Sequence, residues 1–258
     1  MRLMKRILSA AAVLALSASL LVGCSSGTAS SVPVSASSAA ESTVSSVEET
    51  ASSAVDENEA AAAQLLNDLT GSYQELWPVI LADEYKQTWL DDCTALVGED
   101  NAEAAFEKLS SMVTGDVYGE DAVKAYANGG GAYFCGFTNS LAILTFDGET
   151  STISGTDKDG NVLFSHTYHY IGMEPVRGLY EFQSDDADSG EFTYFFLAPD
   201  TSAETYHIEF RYGSDADALS QYDAGDYAYW VASGISTDCD QTMIDNCIEL
   251  FCTENLAD

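Results

Sequence analysis

Hydrophobic residues change their spacing part-way along the chain, from a helical period to a strand period. Between residues 60 and 127 they recur every three or four positions, as at Tyr85, Trp89 and Cys93, which is the spacing of one helix face. Between residues 132 and 212 they alternate with polar residues, which is the spacing of half-buried strands. The pattern therefore predicts helices first and strands afterwards.

The same spacing gives approximate bounds for each element. We predict helices over residues 60–69, 83–96, 101–113 and 121–127, and strands over residues 132–138, 141–146, 150–154, 162–171, 179–183, 191–197 and 205–212. A last helix over residues 237–253 places Ile244, Cys247 and Phe251 on one face. Short sequential strands with hairpin-length turns favour an antiparallel barrel. The expected fold class is α+β, an antiparallel β-barrel with N-terminal helices and a C-terminal helix packed on it.

The N-terminal region has the pattern of a bacterial lipoprotein signal. Basic residues at positions 2, 5 and 6 precede an apolar run that is too short for a mature membrane span, and Leu-Val-Gly precedes Cys24 as in a lipobox. Such signals, here residues 1–23, are cut before the cysteine, whose thiol carries a diacylglycerol. Residues 24–55 are rich in Ser and Ala, which predicts a disordered stalk. We therefore expect a folded domain at residues 56–258, anchored to the cell membrane by the lipid on Cys24 and lying outside the cytoplasm.

The charge of the chain excludes nucleic-acid binding and is compatible with metal binding. The chain has 42 acidic and 9 basic residues, and the basic residues that follow Cys24 do not cluster. Nucleic-acid binding needs a basic surface, so that class is excluded. A strongly negative surface concentrates cations, which is compatible with metal binding, although solubility alone also explains acidic surfaces.

Five cysteines follow Cys24, and their number is odd, so at least one thiol is left over or pairs with another molecule. There is no Cys-x-x-Cys, and the spacing does not predict a cysteine-rich zinc site. We interpret them as buried small apolar residues with one or two bridges among them. They are Cys93, Cys135, Cys239, Cys247 and Cys252.

Several segments, taken in order, resemble the ZinT (YodA) family of lipocalin-like proteins. They are GSYQELWP at 71–78, TYHYIG at 167–172, VRGLYEF at 176–182, FLAP at 196–199 and YHI at 206–208. Their order and spacing carry the resemblance, since no single segment is specific. The resemblance implies a lipocalin-like (calycin) barrel and zinc binding outside the bacterial cytoplasm. Because the same domain occurs fused to zinc-uptake binding proteins, it also implies delivery of metal to a transporter.

The resemblance implies three histidine ligands, and this chain keeps one of the three positions. His207 matches the second histidine of a His-x-His pair, whose first position is Thr205, and the preceding strand has Phe195 in place of the third histidine. One imidazole is not a zinc site, which usually has three or four protein ligands. The chain must therefore complete any site with other residues.

Alternation along residues 205–212 suggests what completes the site. Thr205, His207, Glu209 and Arg211 share one face of the predicted strand, so Glu209 and His207 are expected to share a cation if that face lines the barrel cavity. Arg211 would oppose the cation or pair with Glu209. His166, on the aromatic face of its own strand, is the candidate for a second histidine ligand. The alternative is that the aromatic faces form the core and these polar residues are solvated, as in most half-buried antiparallel strands.

Our first hypothesis is a zinc or divalent-metal-binding protein that assists metal uptake, with Zn²⁺ held by His207, Glu209 and His166. The alternative is a binding module without metal, whose cavity or aromatic surface holds a small ligand or a partner protein, and a third is a structural surface protein. The chain has three histidines and lacks a nucleophile elbow, a His-Glu-x-x-His motif and a phosphate-binding loop, so we do not expect an enzyme.

Overall fold

The computed structural model describes residues 57–131, 133–199 and 202–257. The predicted signal peptide, the predicted lipidation site Cys24 and the predicted stalk lie outside the described residues. Within the described residues, no helix combines the length and the apolar character that a membrane crossing requires.

Helices flank a run of strands. The helices are α1 over residues 57–68, α2 Leu76–Ile80, α3 Lys86–Val97, α4 Glu99–Val113, α5 Glu120–Ala127, α6 Ser202–Thr205, α7 Ala216–Leu219 and α8 Gln241–Leu256. The strands are β1 Gly71–Glu75, β2 Ile143–Asp147, β3 Thr152–Thr156, β4 Val162–Met173, β5 Tyr180–Ser184, β6 Tyr194–Leu197, β7 Ile208–Gly213 and β8 Ala232–Ser236.

The strands close into a single antiparallel barrel. Each strand pairs with the next in the chain, and β1 pairs with both β2 and β8. Because every strand then has two neighbours, the sheet has no free edge. The predicted fold class is confirmed, with a closed lipocalin-like barrel, helices before it and a helix after it.

The inside of the barrel is a packed aromatic core. Ile208, Phe210 and Tyr212 alternate along β7 and point inward, and each is at most 4% exposed. The rings of Phe195 and Tyr212 stack with their centroids 5.4 Å apart, and Trp230 meets Tyr212 edge-on at 5.0 Å. An eight-stranded barrel is just wide enough for side chains to fill, and here they do.

A second core lies between the outer surface of the barrel and the helices. Trp89 of α3 is fully buried, and its indole nitrogen donates a hydrogen bond of 2.7 Å to the Ile80 carbonyl. Phe251 of α8 packs edge-on against Trp89 and Trp77, with centroids 5.9 and 4.7 Å away. Ile235 points outward from β8 into this cluster. Helices α2, α3, α4 and α8 therefore cover one side of the barrel.

The sequence pattern misses the short helices α2, α6 and α7, and it fails for three strand assignments. The strand predicted at 132–138 is wrong, because the described residues there form only isolated bridges at Phe134. Strand β1 was missed because Tyr73 is its only fully buried residue, so it shows little alternation. Strand β8 was missed because four of its five residues are buried, facing the barrel core on one side and the helices on the other.

One carboxylate in the helical layer lies in an unfavourable environment. Burial raises the pKa of Asp92 on α3, and the nearby Glu249, Asp245 and Asp91 raise it further. Its Oδ2 atom is buried and has no hydrogen-bond partner among the described residues. The folded state therefore disfavours the charged form, so stability falls as the pH rises from below the ordinary value of 3.8 through the raised pKa.

We predict that Asp92→Asn stabilises the protein at neutral pH, with a rise in Tm of roughly 1–3 °C because Asp92 is only partly buried. The gain should vanish below the ordinary aspartate pKa, where Asp92 is protonated in both states. Thermal unfolding followed by circular dichroism across pH measures this, with Asp159→Asn in the exposed turn between β3 and β4 as the control. A gain that persists at acidic pH would contradict the electrostatic explanation.

Candidate functional site

His207 lies in a turn, immediately before β7. Helix α6 ends at Thr205, Tyr206 takes a positive φ of 64°, and the strand begins at Ile208. The strand predicted over 205–212 therefore starts three residues later than expected. The reversal at Tyr206 brings the His207 ring back onto the turn, where its Nδ1 lies 2.7 Å from the Thr205 carbonyl oxygen.

That contact fixes the tautomer of His207. A carbonyl oxygen only accepts hydrogen bonds, so Nδ1 must carry the proton and donate it. In the neutral ring Nε2 then holds a lone pair, and it lies 3.8 Å from Oε1 of Glu209. The His207 and Glu209 side chains are 18% and 16% exposed. Both are sheltered from bulk water and still reachable from it.

The face that carries Glu209 is the outside of the barrel. Ile208 and Phe210 point into the barrel core, so Glu209 between them points outward, toward the helical layer. The sequence left open whether this polar face lines the barrel cavity. In the structure it faces away from the cavity. His207 and Glu209 lie near each other in a cleft between the barrel wall and α8.

The cleft has apolar walls with a few polar groups. Much of the wall is formed by apolar side chains. They are Leu76 and Trp77 of α2, Val113 of α4, Phe251 of α8, and Val231 just before β8. Its volume is about 50 Å³. One water molecule needs roughly 10–15 Å³ by this measure, so the space holds a few waters. The polar groups at its surface include Arg177, His207, Glu209, Ser233, Cys247 and Glu254.

The electrostatic surroundings of His207 favour a positive charge at this point. Burial alone would lower the pKa of the imidazole, but its interactions with the neighbouring Cys247 and Glu209 side chains outweigh burial and hold this pKa well above its usual value. The Coulombic attraction of both partners acts in the same direction. The site is therefore arranged to stabilise positive charge in contact with a carboxylate and a sulfur.

Two cysteines of the cleft were not predicted as site residues. Cys247 of α8 is 2% exposed and Cys135 is 7% exposed, and both line the cleft. Burial, followed by the charge of Glu209, raises the pKa of the Cys135 thiol strongly. The sequence did place Cys247 on the buried face of the last helix, but nothing in the spacing links that face to His207.

Arg177 contributes a cation at the rim of the cleft. Its guanidinium donates a hydrogen bond of 2.7 Å to the Tyr133 hydroxyl and lies over the Tyr222 ring at 4.1 Å. Arg211, which was predicted to oppose a cation or pair with Glu209, does neither among the described residues. It is fully buried on the same face of β7, where its guanidinium hydrogen-bonds to backbone carbonyls.

His166 lies away from this cleft. In the ladders, His169 is aligned with Gln183, Gln183 with Tyr194, and Tyr194 with Gly213 at the end of β7. His207 precedes the start of β7, whereas His166 lies three residues beyond His169, further toward the Gly213 end. Its Nδ1 lies 2.7 Å from Oδ2 of Asp186. The structure therefore brings Glu209 to His207 but places His166 toward the opposite end of the barrel.

The two other family histidine positions have structural roles in this chain. Phe195 is fully buried inside the barrel, whereas His207 faces the cleft outside it, so the two positions do not face each other. The Thr205 hydroxyl donates to the His207 carbonyl at 2.7 Å and so stabilises the turn.

The donor set fits a metal ion in part. Imidazole nitrogen, carboxylate oxygen and thiolate sulfur are all zinc ligands, and His207, Glu209 and Cys247 supply one of each. However, within residues 57–131, 133–199 and 202–257, no three or more His, Cys, Asp or Glu side chains form a group that could hold a metal ion. The described arrangement is the His207 and Glu209 pair, with Cys247 lining the same cleft.

Comparisons with known proteins bear on the fold. No protein-family model and no curated protein matches the chain. It is similar to the Zn(II)-bound ZinT-like domain of Streptococcus pneumoniae AdcA, at 14% identity and a TM-score of 0.46, over 72% of this chain and 89% of that one. It is also similar to Zn(II)-bound AdcA from Streptococcus pneumoniae, at 14% identity and a TM-score of 0.42, over 75% of this chain and 35% of that one.

The chain spans about a third of the length of Zn(II)-bound AdcA. At 14% identity and TM-scores below 0.5, these similarities assign no ligand to this chain, so its site is argued from its own residues.

Proposed function

We propose that the protein binds zinc or a similar divalent cation in the cleft between the barrel and α8, through His207 and Glu209. The supporting observation is the orientation of the imidazole, whose Nδ1 is held by a backbone carbonyl while Nε2 faces a carboxylate. Histidines that ligate metals almost always donate the other ring N–H to such an acceptor, which fixes the ring. Nitrogen and oxygen donors suit zinc, and the sequence resemblance implies the same ion.

The separation of the two donor atoms is compatible with one shared ion. Ligand atoms at zinc-bond distances on a tetrahedral centre lie about 3.3–3.6 Å from each other. Nε2 of His207 and Oε1 of Glu209 are 3.8 Å apart, so a small side-chain movement brings both within bonding distance. When bound, the ion would act as a Lewis acid that holds these two side chains together.

The size of the cleft favours an ion over an organic ligand. Pockets that bury drug-sized ligands usually have volumes of roughly 300–1,000 Å³. The cleft has about 50 Å³, which suits a cation with its remaining water ligands. The inside of the barrel is filled by aromatic side chains such as Phe195 and Phe210. The alternative of a small-ligand carrier is therefore the weaker one.

We further propose that this binding takes place outside the cytoplasm on a lipid-anchored protein that assists metal uptake. The support is the sequence before the described residues, where a lipobox ends at Cys24 and a Ser-rich stalk follows. A tethered binding protein would hold cations near the membrane for a transporter. A role in binding rather than catalysis needs no residue beyond the metal ligands.

Loss of the imidazole should remove most of the binding. We predict that His207→Ala lowers zinc affinity by more than the roughly 10–100-fold that loss of an outer-shell partner costs, because a direct ligand is removed. Zinc titration of the purified protein by calorimetry measures this.

His166→Ala is the matched control, since it removes a histidine toward the opposite end of the barrel and should leave the affinity unchanged. Circular dichroism of both variants checks that they are folded. Equal affinity in wild type and His207→Ala would refute the assignment of this site, and absence of zinc binding to the wild type would refute the proposed function.

A further inference from the structure

We infer that the cleft between the barrel and α8 also binds a small carboxylate, held by the guanidinium of Arg177 and the indole N–H of Trp77. The ligand is a monocarboxylate of the size of formate or acetate. This inference goes beyond the proposed function and does not depend on it, because it rests on hydrogen-bond donors of the cleft and not on the metal ligands.

The first argument is a buried donor that has no acceptor. Trp77 of α2 lines the cleft and is 7% exposed. Its indole nitrogen is buried and has no hydrogen-bond partner among the described residues. An indole N–H can only donate, and buried donors without an acceptor are rare in native proteins, because nothing compensates their loss of water. Trp77 therefore marks a place where the cleft lacks an acceptor atom.

The other two tryptophans of the chain do have acceptors for their indole N–H groups. Trp89 donates to the Ile80 carbonyl at 2.7 Å, and Trp230 donates to the Gly136 carbonyl at 2.8 Å. Neither of these tryptophans lines the cleft. The fold thus satisfies the indole N–H at both positions that do not line the cleft and leaves it unsatisfied at the one that does.

The second argument is an arginine without a carboxylate partner. Arg177 lines the same cleft, and within the part of the chain that the structure describes it forms no ion pair, although the chain has 42 acidic residues. One of its guanidinium nitrogens donates to the Tyr133 hydroxyl at 2.7 Å. A guanidinium has five N–H donors in a planar fork that matches the two oxygens of a carboxylate. Donors therefore remain for a carboxylate ligand.

Arg177 is also held in place before any ligand arrives. The fully buried carboxylate of Glu174 accepts the backbone N–H groups of Val176 and Arg177 at 2.7 Å each, which fixes the turn between β4 and β5. The guanidinium lies over the rings of Tyr222 and Tyr133, at 4.1 and 5.4 Å from their centroids. A donor that is fixed in advance loses little conformational entropy on binding. Arg177 is therefore a positioned donor rather than a freely moving surface side chain.

The size and the walls of the cleft select the kind of anion. Its volume of about 50 Å³ corresponds to about three to five water molecules, and formate or acetate needs a similar space. Apolar walls such as Leu76 and Val113 suit a methyl group better than the charged oxygens of phosphate or sulfate. Because the carboxylates of Glu209 and Glu254 also line the cleft and repel an anion, we expect weak binding, with a Kd of about 1–10 mM for acetate.

Nuclear magnetic resonance of the metal-free protein tests the inference at the indole N–H itself. In a ¹H–¹⁵N spectrum each of the three tryptophans gives one indole signal, and Trp77→Phe identifies the signal of Trp77. Titration with sodium acetate should move this signal downfield until it saturates, because the N–H gains an acceptor. The signals of Trp89 and Trp230 should stay in place. Sodium chloride controls for ionic strength, and acetamide controls for a ligand of the same size without charge.

The contribution of Arg177 is measured in the same titration. Arg177→Met should weaken acetate binding by at least about tenfold, because the charge-assisted hydrogen bonds to the carboxylate are lost. Lys158→Met is the matched control, since it also removes one positive charge but in the exposed turn between β3 and β4, and it should leave the acetate affinity unchanged. Circular dichroism checks that both variants are folded.

The wild-type titration keeps the inference falsifiable if Arg177→Met does not fold. A Trp77 signal that acetate leaves in place, or that chloride or acetamide moves as far, would overturn the inference. Equal acetate affinity in wild type and a folded Arg177→Met would overturn it as well. Because no metal is present in these titrations, any of these results would leave the proposed zinc binding intact, and a failure of zinc binding would leave the carboxylate site intact.

Discussion

Replacing Arg211 by methionine is expected to lower the free energy of unfolding by about 3–5 kcal/mol. Arg211 is fully buried on β7, and its guanidinium donates hydrogen bonds to the carbonyls of Leu219, Gln221 and Tyr227. It also lies over the Tyr222 ring at 4.3 Å. This one side chain therefore organises the long connection between β7 and β8.

The size of the effect follows from what the substitution leaves behind. Methionine fills a similar volume but donates no hydrogen bond, so up to three buried carbonyls lose a partner at about 1–3 kcal/mol each, less what relaxation and water recover. Arg211→Lys keeps the charge but not the planar fork of donors, so it should fall between wild type and Arg211→Met.

Urea unfolding of the three proteins measures the difference in free energy. Lys158→Met is the control, because Lys158 is exposed in the turn between β3 and β4 and should change stability by less than about 0.5 kcal/mol. A loss below about 1 kcal/mol in Arg211→Met would contradict the structural role assigned to this arginine.

Oxidation is expected to join Cys93 and Cys252 and to raise Tm by about 10 °C. Their sulfur atoms lie 3.9 Å apart in the helical layer, and both residues are fully buried. Bond formation needs the sulfurs to approach to about 2.05 Å, a movement that two side chains can share. The five described cysteines are free thiols in the structure, so the bridges expected from the sequence are absent from the described residues as they stand.

The stabilisation comes from the long segment that the bond would close. The two cysteines are 159 residues apart, and chain-entropy arguments for a loop of this length give about 5 kcal/mol as an upper value. Two thiols lose two protons and two electrons, which a disulfide oxidant such as oxidised glutathione accepts. The bond would join α3 to α8 and leave Cys247 untouched.

Mass spectrometry of the oxidised protein detects the bond as a Cys93–Cys252 peptide pair, and thermal unfolding with and without reductant measures the shift. Cys239→Ser is the control, since this cysteine is outside the pair and should leave both results unchanged. An intramolecular bond between other cysteines, or an unchanged Tm after oxidation of this pair, would contradict the prediction.

The barrel could be predicted from the sequence where one face of a strand is buried and the other is not. Strand β7 alternates Ile208, Phe210 and Tyr212 with polar residues, and the pattern gives its register correctly. Strand β8 is covered on both faces, so it carries no alternation and was missed. The segment around Phe134 was predicted as a strand because it alternates, but it forms only isolated bridges beside Trp230.

The site could be predicted only where its residues are close in the chain. Glu209 and His207 are two positions apart, so their approach follows from local geometry. Cys247 reaches them from α8, and Arg177 from the turn between β4 and β5, and no local pattern encodes those approaches. The sequence also left open which face of β7 points into the barrel, since alternation separates two faces without saying which is inside.

Diffraction at the zinc absorption edge tests the central claim most directly. Crystals of the protein grown with one equivalent of zinc should show an anomalous peak in the cleft, within bonding distance of Nε2 of His207 and a carboxylate oxygen of Glu209. The same crystals of His207→Ala should show no peak at that position. A zinc peak that lies elsewhere in the wild type, for example at the His166 and Asp186 pair, would contradict the account.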